Sequence, residues 1–122
     1  MEKIRDYKDL MVWQKAHMMA LDVYRITKQF PSEEKFGLVR QIRRSAASVP
    51  TNISEGFARY SKKEYIQFLY ICRGSLSETD YHLQLSKDLD YISCEAHKNL
   101  TQAIVEIGKM INGLINALKQ RC

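Results

Sequence analysis

Glycine and proline are scarce in this 122-residue chain, at five and two residues. So few turn-forming residues leave little of the chain for loops and favour long helices. No stretch of 18 apolar residues occurs, so no membrane-spanning helix is expected. The start, Met1-Glu2-Lys3-Ile4-Arg5-Asp6, mixes charges and lacks an apolar core, so no secretory signal is expected. Cysteine occurs three times, as Cys72, Cys94 and Cys122. An odd, scattered set is not a disulfide framework, and free thiols suit a cytoplasmic location.

Ligand and catalytic sets are equally thin. Cys94 and His97 are three apart on one predicted helix, while His17 and His82 stand alone. A structural zinc needs four ligands, so no metal site is expected. Ser75, Asp80 and His82 have the residue types of a catalytic triad but lie along one predicted helix, where they cannot converge. Near a helix N-terminus Cys94 is either a thiol of lowered pKa or a plain packed or exposed one. We therefore expect no catalytic residue, cofactor, small-molecule substrate or membrane partner.

What is present is an ordinary globular balance, 45% hydrophobic and 27% charged, in a length that suits one domain with its own core. Apolar periodicity predicts four helices, over about 9–29, 33–59, 62–88 and 94–119. The first carries two adjacent apolar rows, one through Leu10, Trp13, His17, Ala20, Tyr24 and Thr27, the other through Val12, Ala16, Met19, Val23 and Ile26. Together they are wider than a single bundle seam requires.

Ser32 reads as the N-cap of the second helix, with Glu33 and Glu34 in its first turn. Its core stripe is Leu38, Ile42, Ala46, Val49, Ile53 and Phe57. Pro50 inside that stripe predicts one kinked helix, and the small run Ser45–Ser48 allows a close helix approach. Ser61-Lys62-Lys63-Glu64 has capping-box spacing and opens the third helix. One face of that helix is Tyr65, Phe68, Leu69, Cys72, Leu76, Thr79 and Leu83. A second set, including Ile71, Gly74 and Tyr81, makes it apolar nearly all round, which argues for a subunit interface.

In the fourth helix Leu100, Ile104, Ile107, Ile111, Leu114 and Leu118 form a bundle seam, with Lys119 and Arg121 near its C-terminus. Short connections make neighbours antiparallel, so the expected fold is an all-α, up-down-up-down four-helix bundle.

The net charge is +5, and its distribution is uneven. Residues 35–63 hold Lys35, Arg40, Arg43, Arg44, Arg59, Lys62 and Lys63 against Glu55 alone, a local +6 that leaves −1 for the rest. Helical geometry puts Arg40, Arg44 and Arg59 opposite the core stripe, with Arg43 at its border. Lys62 and Lys63 extend the basic stripe across the next turn. Such a stripe suits phosphate, and Tyr60 and Tyr65 beside it suit stacking on exposed bases. Two other readings stay open, a solvated face and arginines paired with Glu55 or Glu78 within the assembly. Those two acids read as structural carboxylates, and Gly74 as a point of close helix approach.

The segments Leu10-x-Val12-Trp13-Gln14-Lys15-Ala16, Phe30-Pro31-x-Glu33-Glu34, Gln41-Ile42-Arg43-Arg44-Ser45-Ala46-x-Ser48-Val49-Pro50-x-Asn52-Ile53-x-Glu55-Gly56 and Phe68-Leu69-Tyr70-Ile71-x-Arg73-Gly74-Ser75-Leu76-x-Glu78 resemble the bacterial four-helix bundle proteins encoded in intervening sequences of 23S ribosomal RNA genes. That family was once labelled S23 ribosomal protein. It in turn resembles the accessory variability protein of diversity-generating retroelements, a basic bundle that binds nucleic acid and reverse transcriptase. The resemblance spans about 7–118 and implies an up-down bundle, a ring-like homopentamer and no known catalysis. Arg73 departs from the pattern, in which a Lys or a small residue is expected, and adds charge beside Gly74.

The expected function is a non-enzymatic homo-oligomer that binds nucleic acid, RNA in preference, through Arg40, Arg43, Arg44, Arg59, Lys62 and Lys63. The alternative is a protein-interaction scaffold in which Glu55, Gly74, Glu78 and the arginines serve subunit contacts. A nuclease is a third and weaker reading, because no acid cluster or histidine pair is visible.

Overall fold

The computed structural model describes residues 3–120, so Arg121 and Cys122 lie outside the described residues. Four helices, α1 (Met11–Thr27), α2 (Leu38–Phe57), α3 (Lys62–Asp88) and α4 (Cys94–Lys119), carry the fold, and no strand occurs among the described residues. The contacts run in antiparallel register. Arg43 meets Thr27, Ser45 meets Thr79, Ser48 meets Ser75, Arg73 meets Asn112, and Lys15 meets Glu106. Each helix therefore packs on two neighbours around one core, an up-down-up-down bundle.

That core takes Val12, Ala16, Met19 and Val23 from α1 and Ile42, Ala46, Val49 and Ile53 from α2. From α3 and α4 it takes Leu69, Cys72, Leu76, Leu83, Leu100, Ile104, Ile107, Ile111 and Ile115. Each fully buried Leu, Ile or Val contributes about 1.5–3 kcal/mol. In α1 the second apolar row is the buried one, while Trp13 is half-buried and His17 and Tyr24 are exposed. In α4 the buried row steps from Ile111 to Ile115, and Leu114 and Leu118 are only half-buried. A straight helix of 3.6 residues per turn drifts away from a strict seven-residue repeat in this way.

The start of the second helix differs from expectation. Ser32–Glu34 form a separate 3-10 turn, and α2 begins only after Gly37, which lies outside the helical region (φ −105°, ψ −107°). Ser32 is therefore not its N-cap. Glu34 still serves the helix, because its Oε1 accepts from Leu38 N at 3.3 Å. Its Oε2 accepts from the Tyr91 hydroxyl at 2.9 Å, and Tyr91 packs on Phe30 with ring centroids 5.1 Å apart. That hydrogen bond, with some burial, raises the Tyr91 pKa. The first helix is likewise shorter than expected and is preceded by the 3-10 turn Tyr7–Asp9.

Of the capping box expected at the start of α3 the Ser61 half forms, and Ser93 adds a cap to α4 that the spacing had not singled out. Ser61 Oγ accepts from Glu64 N at 3.1 Å and Ser93 Oγ from Ala96 N at 3.0 Å. Helix α3 ends on Asp90 in the left-handed region (φ 63°). There Tyr91 N donates to Ser86 O and Asp90 N to Lys87 O, both at 2.9 Å, the paired bonds of a Schellman stop.

The α2–α3 seam is the most polar part of the interior. Thr79 Oγ1 lies 2.8 Å from Ser45 Oγ and 2.8 Å from Ser75 O. Ser48 Oγ and Ser75 Oγ are 2.8 Å apart, and Asn52 Nδ2 donates to Ser48 O at 2.8 Å. The Cys72 thiol points at Val49 O from 3.4 Å, and burial pushes its pKa up to about 12. Helix α2 runs unbroken through the buried Pro50 beside this ladder.

At the end of the seam a Cβ on Gly56 would stand 2.9 Å from Tyr65 Cδ1 and 3.0 Å from Phe68 Cβ. Gly56 is thus the glycine of close approach. Gly74, to which the sequence assigned that part, has nothing within 4 Å of such an atom.

Replacing Gly56→Ala should destabilise the chain by about 1–3 kcal/mol through overpacking, seen as a lower urea midpoint with unchanged slope. Thr79→Val should cost about 1 kcal/mol. The double variant Ser45→Ala/Thr79→Val should cost less than the sum of the two singles, because removing both partners leaves nothing unsatisfied.

Candidate nucleic-acid interface

With α2 held on α3 by one side and on α1 by another, its remaining ridge faces outward. The six cations singled out by the sequence fall into two patches, Arg40, Arg43 and Arg44 on α2 and Arg59, Lys62 and Lys63 at the turn into α3. Arg44 and Arg59 are fifteen residues apart, about 22 Å along a helix. The expected continuous stripe is therefore two clusters, with Thr51 and Glu55 between them.

In the first patch Arg40 is exposed and has no hydrogen bond or ion pair among the described residues. Arg43 is half-buried and engaged. Its Nε donates to Thr27 Oγ1 at 2.9 Å, one terminal nitrogen donates to Tyr24 O at 3.3 Å, and its guanidinium lies 4.7 Å from the Tyr24 ring centroid. This geometry makes Arg43 a clamp between α1 and α2. Arg44 pairs with Glu78 Oε2 at 2.6 Å and donates to Gln41 Oε1 at 3.2 Å. Both side chains of the pair are partly exposed, so the pair is worth about 0–1 kcal/mol and its outer edge stays open to an anion.

These arginines wall a cleft of about 430 Å³ whose opposite rim the sequence reading did not single out. Lys35 and Phe36 come from the turn before α2, and Tyr24 comes from α1. Phe36 is 78% exposed and Tyr24 42%, and the Lys35 ammonium lies 5.6 Å from the Phe36 centroid. Among the described residues no carboxylate lines this cleft. An exposed phenylalanine beside lysine in Lys35-Phe36-Gly37 was the available signal.

In the second patch Lys62 and Lys63 are exposed without a partner among the described residues, and Tyr60 beside them is fully exposed. Arg59 is occupied, at 3.5 Å from Glu55 Oε2, 4.0 Å from Glu64 Oε1 and 4.7 Å from the Phe68 centroid. Tyr65 packs edge-on against Phe57, and burial raises its pKa. Of the two tyrosines named from sequence, only Tyr60 presents a free ring.

Glu55 and Glu78 are therefore held by Arg59 and Arg44 within one chain. Arg73 lies 4.9 Å from the Tyr70 centroid and donates to Asn112 Oδ1 at 3.1 Å. Ser75 is spent in the α2 seam while Asp80 is exposed, so the triad residue types stay apart. Cys94 is exposed and His97 half-buried. Among the described residues no group of three or more His, Cys, Asp or Glu could hold a metal ion. No helix among them is long and apolar enough to cross a membrane.

Comparisons with known proteins agree on the fold. A family model described as 23S rRNA-intervening sequence protein matches residues 8–113. The crystal structure of a protein with unknown function from the S23 ribosomal protein family of Bacteroides thetaiotaomicron VPI-5482 superposes with a TM-score of 0.78 at 27% identity. The match covers 86% of this chain and 98% of that one. None of the curated proteins matches the sequence.

The half-buried His82 lies near the Arg44–Glu78 pair, and its Nδ1 has no partner. Burial lowers its pKa below the ordinary histidine value of about 6.5, opposed by Glu78 and aided by Arg44. The unfolded chain thus takes up a proton first. Stability tied to neutral His82 is complete above about pH 6.5 and declines as pH falls toward the folded value. Urea midpoints at about pH 7 and about pH 5.5 should differ more for the native chain than for His82→Gln. Equal differences contradict this account of His82.

Proposed function

The chain belongs to the 23S rRNA-intervening sequence protein family, and on that premise we propose that it is a non-enzymatic, cytoplasmic, homo-oligomeric scaffold that holds RNA through cations of α2. The observation that carries the reading is the cleft at the N-terminal end of α2. Lys35, Arg40 and the outer edge of Arg44 converge there around exposed Phe36 and Tyr24. Guanidinium and ammonium groups without facing carboxylates attract phosphate, and release of counterions drives the association. The exposed rings favour RNA, whose specific recognition falls mostly on unpaired, splayed bases. Lys62, Lys63 and Tyr60 form a second contact point at the α2–α3 turn.

Assembly is the other half of the proposal. The second face of α3 presents Ile71, 50% exposed, and Tyr81, 61% exposed, with open Gly74 between them. Large apolar side chains around a gap without a Cβ favour packing of another subunit. A ring of five copies, as the family resemblance implies, would multiply the basic clefts and raise avidity without strong single contacts. The same face also supports the alternative, a protein-interaction scaffold, for which the arginines matter only to assembly.

Binding of a structured RNA, followed by anisotropy, should weaken steeply with salt. Lys35→Ala/Arg40→Ala should shrink the log–log salt slope by about 1.4, near 0.7 for each lost phosphate contact. Absence of binding at low salt, or binding unchanged by the double variant, contradicts the reading. Gly74→Ala adds a methyl to empty space within one chain. It should lower the mass seen by light scattering while helix content stays constant, whereas an unchanged mass places the subunit contact elsewhere.

A further inference from the structure

The basic cleft does not end at Tyr24. That ring also forms one wall of a larger groove of about 480 Å³ between α1 and α2. The α1 wall carries Trp13, His17 and Tyr24, and Tyr7 closes one end. Ala20, Leu21, Ala47 and Pro50 form an apolar floor. Trp13 and His17 are stacked, with centroids 4.9 Å apart and planes 12° from parallel, and Tyr7 meets Trp13 edge-on at 5.1 Å. Thr51, Ser54 and Glu55 supply the polar rim. The charge of Glu55 is offset by Arg59 at 3.5 Å.

These rings stand on the outer side of the wide apolar face of α1, whose Ala20 belongs to the core and whose Trp13 packs partly against it. Val12, Ala16, Met19 and Val23 already seat the helix in the core, yet the outer positions hold a tryptophan, a histidine and a tyrosine at steps of four and seven. His17 and Tyr24 lie two turns apart, about 10 Å along α1, with Ala20 and Leu21 between them in the groove. Two flat rings about 10 Å apart, over an apolar floor that includes Leu21, have the spacing to take bases stacked at about 3.4 Å. One end of the slot opens into the cleft of Lys35, Arg40, Arg43 and Arg44 through the shared Tyr24.

We propose that the α1–α2 groove binds a single-stranded nucleic acid segment, with unpaired bases stacked among Trp13, His17 and Tyr24 and phosphates held at the Lys35–Arg44 end. Charge complementarity chooses this occupant, because the groove runs from an aromatic half, whose one carboxylate, Glu55, is paired with Arg59, into a cationic half, the layout of a single-strand site. A duplex, whose bases are already stacked, can use only the cationic half. The inference rests on the RNA-binding reading above and adds to it the strandedness of the ligand and the residues that sense it.

Trp13 is the only tryptophan of the chain, so its emission reports directly on the slot. The experiment titrates the intact protein with a single-stranded oligoadenylate, and separately with the same strand annealed to oligouridylate. Anisotropy of the labelled strand and Trp13 emission are recorded together. The single strand should quench Trp13, and the duplex should bind with little quenching. His17→Ala, at an exposed position that leaves the core intact, and Trp13→Leu should each weaken single-strand binding about 5- to 100-fold while leaving duplex binding unchanged.

Salt-sensitive binding that is lost in Lys35→Ala/Arg40→Ala but leaves Trp13 emission untouched overturns the groove and spares the cationic reading. No binding of either probe overturns both. A Trp13 emission maximum that shifts on dilution without oligonucleotide means that a second copy covers the groove, which also overturns the proposal.

Discussion

The close approach of α2 to α3 is the constraint on which the remaining geometry depends. Two helices come this near only where side chains are small, and α2 supplies Ser45, Ala46, Ser48 and Gly56 on that side. Their hydroxyls cannot be buried unpaired at acceptable cost. Ser75 and Thr79 of α3 meet them at 2.8 Å. The seam is therefore held by direction as well as by area, since a shift of one turn would orphan the hydroxyls. Ile42, Val49 and Ile53 then have one place to go, the common core with α1 and α4.

Once that rotation of α2 is set, so is the destination of every charged side chain on it. Arg43 turns toward α1 and is consumed against Thr27 and Tyr24. Arg44 reaches over the seam to Glu78, and Arg40 is left in solvent. The cations at the far end are divided in the same manner, Arg59 being neutralised locally and Lys62 and Lys63 remaining open. A formal local charge of +6 thus reduces to a few available cations at two points. One of those points is flanked by exposed rings and continues into an aromatic groove.

The elements were largely legible from periodicity. The bounds of α3 and α4 and the Ser61 cap follow from spacing alone, because capping and amphipathic burial are local effects. Contacts between helices were less accessible. Gly74 sits in a run suited to helix packing, yet within one chain the glycine of close approach is Gly56, and only the register of α2 against α3 reveals it. Ser32 had the chemistry of an N-cap, but the chain makes a single 3-10 turn there and restarts at Gly37. Lys35 was counted as charge, while Phe36 and Tyr24 escaped notice as site residues. Residues from a turn and from another helix become neighbours only after folding. The ion pair of Arg44 with Glu78, by contrast, was among the pairings foreseen, because opposite charges on facing helices are few.

The central claim is that the α1–α2 side of the bundle, from Phe36 to Trp13, is where RNA rests. Photo-crosslinking of the native protein to RNA containing 4-thiouridine, followed by mass spectrometry of the adducted peptides, tests it most directly. The account predicts adducts on peptides bearing Phe36, Tyr24 or Trp13. Adducts confined to the exposed faces of α3 and α4, around Tyr81 and Val105, would contradict it.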